Sequence, residues 1–230
     1  MADVNQATIA SCVNNVMKGL TRDIVEESYV ATTKQTKQVS EFLSQKTKDT
    51  HKELYESYVK SLNEVSAQLD SANGGASNSR HAEFRSLKLD ETFNLNAVWL
   101  HELFFANCFD PNSEVFMDSL AFIHLQRDFG KFDDWQHDFM ACARCCGDGW
   151  AVCGYNTFLR RYVNCIVSHN SGDMQLGLYP IIVLDMHEHA YFRDYLSDKE
   201  SYMTAMLREL NWEVIEERVN RVNKIAEALR

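Results

Sequence analysis

The chain has 230 residues, 45% hydrophobic and 24% charged, which suits one globular unit or a domain with an appendage. Its net charge of −10 argues against a nucleic-acid backbone or an anionic membrane surface as partner. No apolar run approaches the roughly 18 residues of a membrane span, and the opening "MADVNQATIASCVNN" lacks the basic-then-apolar order of a signal peptide, so a cytoplasmic, unexported product is expected.

Ile9, Val13, Val16, Leu20 and Ile24 recur at steps of three and four, the apolar stripe of an amphipathic helix. A second helical pattern begins near Val39 and runs through Phe42, Leu43, Leu54, Tyr58 and Leu62 to about Leu69. Pro111 and Pro180 are the only prolines, so little breaks such helices. "SANGGASNS", Ser71 to Ser79, reads as a loop between helical regions.

A third helix is expected from Phe93 to Cys108, ended by "CFDPNS", and a fourth from Trp135 to Cys146, stopped by "GDG". The character then changes. "WAVCGYN", "RRYVNCIVSHN" and "GLYPIIVLD" are short runs rich in Val, Ile and Tyr, separated by Gly, Asn and Ser, which predicts three strands of a small antiparallel sheet. Helix signals return after Asp185, and the tail sets Ile215, Val219, Val222, Ala226 and Leu229 on one stripe. The order implies an α+β architecture.

The seven cysteines are odd in number and lie in apolar contexts, which points to reduced thiols rather than a disulfide framework. "CARCC" (Cys142, Cys145, Cys146) contains a C-x-x-C, readable as a redox pair or half a zinc site. It has no second pair at ligand spacing and precedes the strands rather than following one, so small residues on a helix are the favoured reading.

The chemistry concentrates in "LDMHEHAYFRDY". Asp185 ends an apolar strand and His189 follows four residues later, so the pair can hold one cation or serve as a core histidine bonded to a carboxylate. Mixed carboxylate and imidazole ligation suits Fe, Mn or Zn better than Ca or Mg. His51 and His101 stand on apolar-patterned helices, where a buried imidazole needs a ligand or a hydrogen bond.

"DMHEHAYF" resembles the D-x-W-E-H-A-Y-Y signature of the iron/manganese superoxide dismutases, and the likeness runs from about Lys46 to the end of the chain. "YVKSLN", "VWLH" with "NCFDPN", "GDGWAVCGYN", "GLYPIIVLD" and "NWEVIEERV" resemble other motifs of that family in the same order. The resemblance implies a helical hairpin, residues 45–110, packed on an α+β metal-binding domain with a three-stranded sheet, residues 111–230, while residues 1–44 depart from the family as a helical N-terminal extension. It also implies His51, His101, Asp185 and His189 as ligands of one Fe or Mn ion per subunit. Tyr58 would be the tyrosine guarding substrate access. Glu188 would reach across a dimer interface to the partner's ligand histidine.

The pattern is not matched everywhere. His51 to Tyr58 spans seven residues rather than the family's eight, so alignment on "YVKSLN" offers Thr50 as the ligand position, although His51 and Tyr58 still share a helix face. Loss of a π-bulge would absorb the difference. The second helix carries one residue more between His101 and Asn107. The family's outer-sphere glutamine falls at Ala97 or Ser171, with Gln175 and His169 as substitutes whose placement the sequence leaves open. Ala106, Val152 and His187 stand where tryptophans are typical, and Phe192 replaces a tyrosine. His187 is expected to admit water beside His189.

Two functions follow. One is dismutation of superoxide by a homodimer or higher oligomer. The other is a non-catalytic structural subunit with this fold in a larger assembly such as a virion or ribosome, favoured by the altered surroundings and the N-terminal stripe. That stripe fits either a helix packed on the domain or an arm that coils with another subunit.

Overall fold

The computed structural model describes residues 31–34, 40–80, 82–108 and 110–229. The stripe from Ile9 to Ile24 lies outside them. Two long helices come first, α1 (Gln45–Ser71) and α2 (Glu83–Asn107), joined by a connection holding one 3-10 turn, Gly74–Ala76. Then follow α3 (Leu120–Phe129), α4 (Phe132–Cys145), strands β1 (Gly149–Asn156), β2 (Arg161–Ser168) and β3 (Leu178–Asp185), and helices α5 (Glu188–Tyr195), α6 (Lys199–Arg208) and α7 (Trp212–Ala228). The α+β class and the three expected strands are present. Among the described residues, no helix is long and apolar enough to cross a membrane.

Helix α1 buries Thr47, His51, Tyr55, Val59, Leu62 and Ser66, one residue per turn along a single face. That face packs on α2, whose buried residues include Ala97, Val98, Leu100, His101, Phe104 and Phe105. The sheet order is β2-β1-β3, antiparallel throughout. With α4 against β1 and β2 and α2 against β3, β1 is entirely enclosed except for Tyr155. The register sets Trp150 of β1 opposite both Val167 and Asp185. Gly149 is required next to it, because a Cβ there would sit 2.2 Å from the Val167 carbonyl oxygen.

Three details depart from the sequence reading. The first long helix starts at Gln45, capped by Ser44 Oγ, not near Val39. Residues 40–43 form a bent strap instead: Ser40 Oγ and the Glu41 amide donate to the Glu209 carboxylate at 2.6 and 2.7 Å, and Leu43 is buried. Helix α2 begins at Glu83, well before Phe93. Helix α3 was not anticipated; Ser119 caps it, and the Glu216 carboxylate accepts from the Leu120 and Ala121 amides at 2.9 and 2.7 Å.

A buried clamp joins the hairpin to the sheet. Asn107, the last residue of α2, accepts from the Val183 amide (2.8 Å) and donates to the Val183 carbonyl (3.0 Å), completing the outer edge of β3. Arg218 of α7 donates to Asn107 Oδ1, to the Ile181 carbonyl and to the Leu103 carbonyl, each at 2.9 Å. Burial lowers its pKa to about 10, which still leaves it charged at neutral pH.

Candidate metal centre

Four side chains from four elements converge: His51 from α1, His101 from α2, Asp185 at the end of β3 and His189 in the first turn of α5. One ligand-capable atom from each lies within 4.8 Å of the others, and this is the cluster of that kind found among the described residues. Asp185 Oδ2 is 3.0 Å from His51 Nε2, 3.1 Å from His189 Nε2 and 3.9 Å from His101 Nε2. His51, His101 and Asp185 are buried, whereas the His189 side chain is 31% exposed, so the cluster meets solvent on that side. Ligand bonds of about 2 Å to one ion set donors on the order of 3–4 Å apart, close to the spacing present.

The proton inventory fits a cation. His101 Nδ1 lies 2.6 Å from the Ala97 carbonyl, which can only accept, so Nδ1 carries the proton and Nε2 presents a lone pair. His101 Nε2 is buried without a hydrogen-bond partner, and His51 Nε2, equally buried, has the Asp185 carboxylate at 3.0 Å. Burial lowers the pKa of His51, and burial with the neighbouring His51 lowers that of His101 to about 3, so both rings are neutral. Burial opposes ionisation of Asp185, yet His189, His187 and His51 hold it well below the usual carboxylate range. Lone pairs gathered around a buried carboxylate repel one another unless a positive ion joins them, and three imidazoles with one carboxylate suit iron or manganese.

Thr50 and His51 point in different directions. The Thr50 hydroxyl turns back onto the Lys46 and Thr47 carbonyls of its own helix, while His51 faces inward. Helix α1 is α-helical throughout, so the one-residue change is taken up without a bulge. Tyr58, two turns on, is half-buried with its ring 5.4 Å from that of His101. Glu188 is exposed in the first turn of α5 and is not among the converging residues.

His187 differs from expectation. Rather than admitting water, it is 9% exposed, donates through Nδ1 (2.7 Å) and its backbone N–H (2.9 Å) to Asp185 Oδ1, and stacks 5.0 Å from the His189 ring. It thereby orients the carboxylate so that Oδ2 faces the cluster. Burial works against its charged form, but Asp185, with Asp148 beyond, raises its pKa above the ordinary value.

Neither proposed glutamine substitute enters the site. Gln175 Oε1 accepts from Asn156 Nδ2 at 3.1 Å, and His169 is an exposed residue 3.3 Å from Asp148. Ser171 is exposed, and Ala97 contributes its carbonyl to His101. Sequence reasoning missed three buried neighbours. Trp150 packs edge-on against His101 at 4.8 Å; Tyr55, also near His101, donates to Glu102 at 2.9 Å; Asn170 accepts from Trp150 Nε1 at 2.9 Å. The tryptophan in "GDGW" was a visible signal for the first; no sequence pattern marked the others.

Comparison with known proteins agrees with this geometry. Residues 120–218 match the family model described as iron/manganese superoxide dismutases, C-terminal domain. The chain is 34% identical over 180 residues to a protein named superoxide dismutase [Fe] from Aquifex pyrophilus, covering 76% of this chain and 83% of that one. It is 30% identical over 169 residues to one named superoxide dismutase [Mn] from Mycolicibacterium fortuitum, covering 73% and 80%. Identity at that level over most of both lengths, together with the fold, assigns the chain: it belongs to the iron/manganese superoxide dismutase family.

Proposed function

We propose that the protein dismutes superoxide to oxygen and hydrogen peroxide, using one Fe or Mn ion held by His51, His101, Asp185 and His189. The observation that carries this reading is the convergence of the buried His51 Nε2 and His101 Nε2 on Asp185 Oδ2, with His101 Nε2 lacking any hydrogen-bond partner. When bound, the ion supplies one-electron exchange, taking an electron from one superoxide and giving it to the next.

The chain's residues supply the rest. Three neutral imidazoles and one carboxylate leave a divalent ion with a net charge of about +1, a local attraction for an anionic substrate within an acidic protein. The rings of Phe104 and Phe105 against His51, and of Trp150 against His101, exclude water from the buried side. Tyr58 stands at the half-exposed edge. Burial raises its pKa, with the Asn170 amide acting the other way, so its hydroxyl keeps its proton at neutral pH and is placed to donate to a reduced, basic product.

Glu188 supports a dimer. It is exposed beside the half-exposed His189, with Phe192 48% exposed one turn further, a polar and apolar surface that a second copy would cover while bringing Glu188 to its histidine. The structural-subunit reading draws no support from the fold or from the relatives named above. The test is superoxide consumption by Fe- or Mn-loaded wild type and His189→Ala. Turnover that the substitution abolishes sustains the proposal; a loaded wild type that leaves the superoxide decay rate at its spontaneous value refutes it.

A further inference from the structure

A cavity of about 550 Å³ opens between α3, the β1–β2 turn and the end of α7, and it shares no residue with the metal cluster. That is the size of a small-molecule site. Two guanidiniums line it. Arg127 of α3 is held in place by its neighbour, with Nε and Nη2 donating to the Asp128 carboxylate at 2.7 and 2.9 Å, which leaves Nη1 unused. The Tyr162 amide fixes Asp128 in turn at 2.7 Å. Arg160 stands on the β1–β2 turn, which its own amide closes on the Asn156 carbonyl at 2.8 Å, and its side chain makes no ion pair among the described residues. Two polar atoms of the wall are buried without a hydrogen-bond partner, Tyr162 Oη and His124 Nδ1, and Tyr162 is 1% exposed. Both atoms are donors. Burial keeps the phenol protonated; burial, with Arg127 adding to it, keeps His124 neutral, and Asn223 Nδ2 donating to Nε2 at 3.4 Å leaves the ring proton on Nδ1. A buried donor with no acceptor is costly, so this wall suits a ligand that accepts.

We propose that this cavity binds a phosphomonoester bearing a planar ring, of the size of a nucleoside monophosphate. The phosphate accepts from Arg160 and from Arg127 Nη1, and the ligand's oxygens offer the acceptors that the Tyr162 hydroxyl and His124 Nδ1 lack. In a chain of net charge −10, two cationic side chains in one cavity focus the attraction for an anion there. A bare phosphate would leave most of the cavity to water. Glu227, also in the wall and without an ion pair among the described residues, would repel it, whereas the same carboxylate accepts from the hydroxyls of a sugar. The half-buried Tyr155 ring, 5.3 Å from that of Tyr162, lines the cavity as a surface on which a planar ring can stack.

The test is equilibrium dialysis of the full chain, with and without added Mn²⁺, against adenosine 5′-monophosphate, adenosine and inorganic phosphate. Wild type is compared with Arg160→Ala and Tyr162→Phe, and melting temperatures are measured alongside. Arg160 is exposed and its side chain makes no hydrogen bond or ion pair, and phenylalanine at 162 removes only the unpartnered hydroxyl. Expected are one molecule of the monophosphate bound per chain, equally with and without Mn²⁺, and at least about tenfold weaker binding of adenosine and of inorganic phosphate. Affinity for the monophosphate should fall at least about tenfold in Arg160→Ala and about threefold or more in Tyr162→Phe. Wild type that binds no monophosphate at millimolar concentration overturns the proposal. Binding that Arg160→Ala leaves unchanged, or that needs Mn²⁺, places the ligand elsewhere and also overturns it. Inorganic phosphate bound as tightly as the monophosphate overturns the organic ester and leaves a simple anion site. If Arg160→Ala melts far below wild type, Tyr162→Phe decides: an affinity equal to that of wild type overturns the proposal.

Discussion

Asn107 hydrogen-bonds both the amide and the carbonyl of Val183, so the helix that carries His101 is fastened to the strand that carries Asp185. The clamp thus ties together the elements that carry two of the four converging side chains.

Replacing Asn107 by alanine would leave the Val183 amide and carbonyl unpaired in the interior and take one acceptor from Arg218. Groups stranded in this way cost roughly 1–3 kcal/mol each when water cannot reach them, and partial relaxation brings the expected loss to about 2–4 kcal/mol. Urea unfolding should show a lower midpoint with an unchanged slope. A midpoint equal to that of wild type would mean the clamp contributes nothing.

Metal should stabilise the fold. The ion would bind the folded donor cluster far better than the unfolded chain, so at a free concentration one hundred times its dissociation constant it adds about 2.7 kcal/mol. Calorimetry of chelator-treated protein with and without added Mn²⁺ should show the melting temperature climbing with metal in wild type and not in Asp185→Asn. Equal responses in the two would place binding elsewhere.

Alkaline pH should destabilise the protein. Burial raises the thiols of Cys146 and Cys165 from 9.0 to about 12, and burial also raises Tyr55 from 10.0 to about 12. These groups stay protonated in the folded state where those of the unfolded chain ionise, so the unfolded state binds fewer protons as pH rises. Their stabilisation is complete below about pH 9 and is lost progressively up to about pH 12. Denaturant midpoints at pH 8, 9.5 and 11 should fall in that order; a flat profile would contradict the burial of these groups.

The six described cysteines are free, and among them Cys145 is exposed while Cys108, Cys146, Cys153 and Cys165 are buried. Brief alkylation of native protein at pH 8, read by peptide mass mapping, should modify Cys145 at least tenfold faster than those four. Comparable rates would show that the α4 end and the sheet open readily.

Much of this was legible in the chain because the signals were local. Val, Ile and Tyr runs bounded by Gly and Asn marked all three strands, and Ile215, Val219 and Val222 marked the buried face of α7. Helix α3 escaped because only Ala121 and Leu125 are buried on it, too few for a stripe, and its start depends on Glu216, distant in sequence. The beginning of α2 escaped because its first two turns bury only Leu87. Phe42 and Leu43 suggested helix, yet they anchor a strap bound to Glu209, and apolar spacing alone does not separate these cases. The four ligand candidates followed from family motifs. Asn170 did not, because its direction is set by a left-handed turn and an indole twenty residues away.

The proposed chemistry requires one ion among His51, His101, Asp185 and His189. Its most direct test is a crystal of iron-reconstituted protein measured at the iron absorption edge. One anomalous peak per subunit is expected within bonding distance, about 2.0–2.3 Å, of His51 Nε2, His101 Nε2, Asp185 Oδ2 and His189 Nε2. A peak elsewhere, or none in protein shown to contain iron, would contradict it.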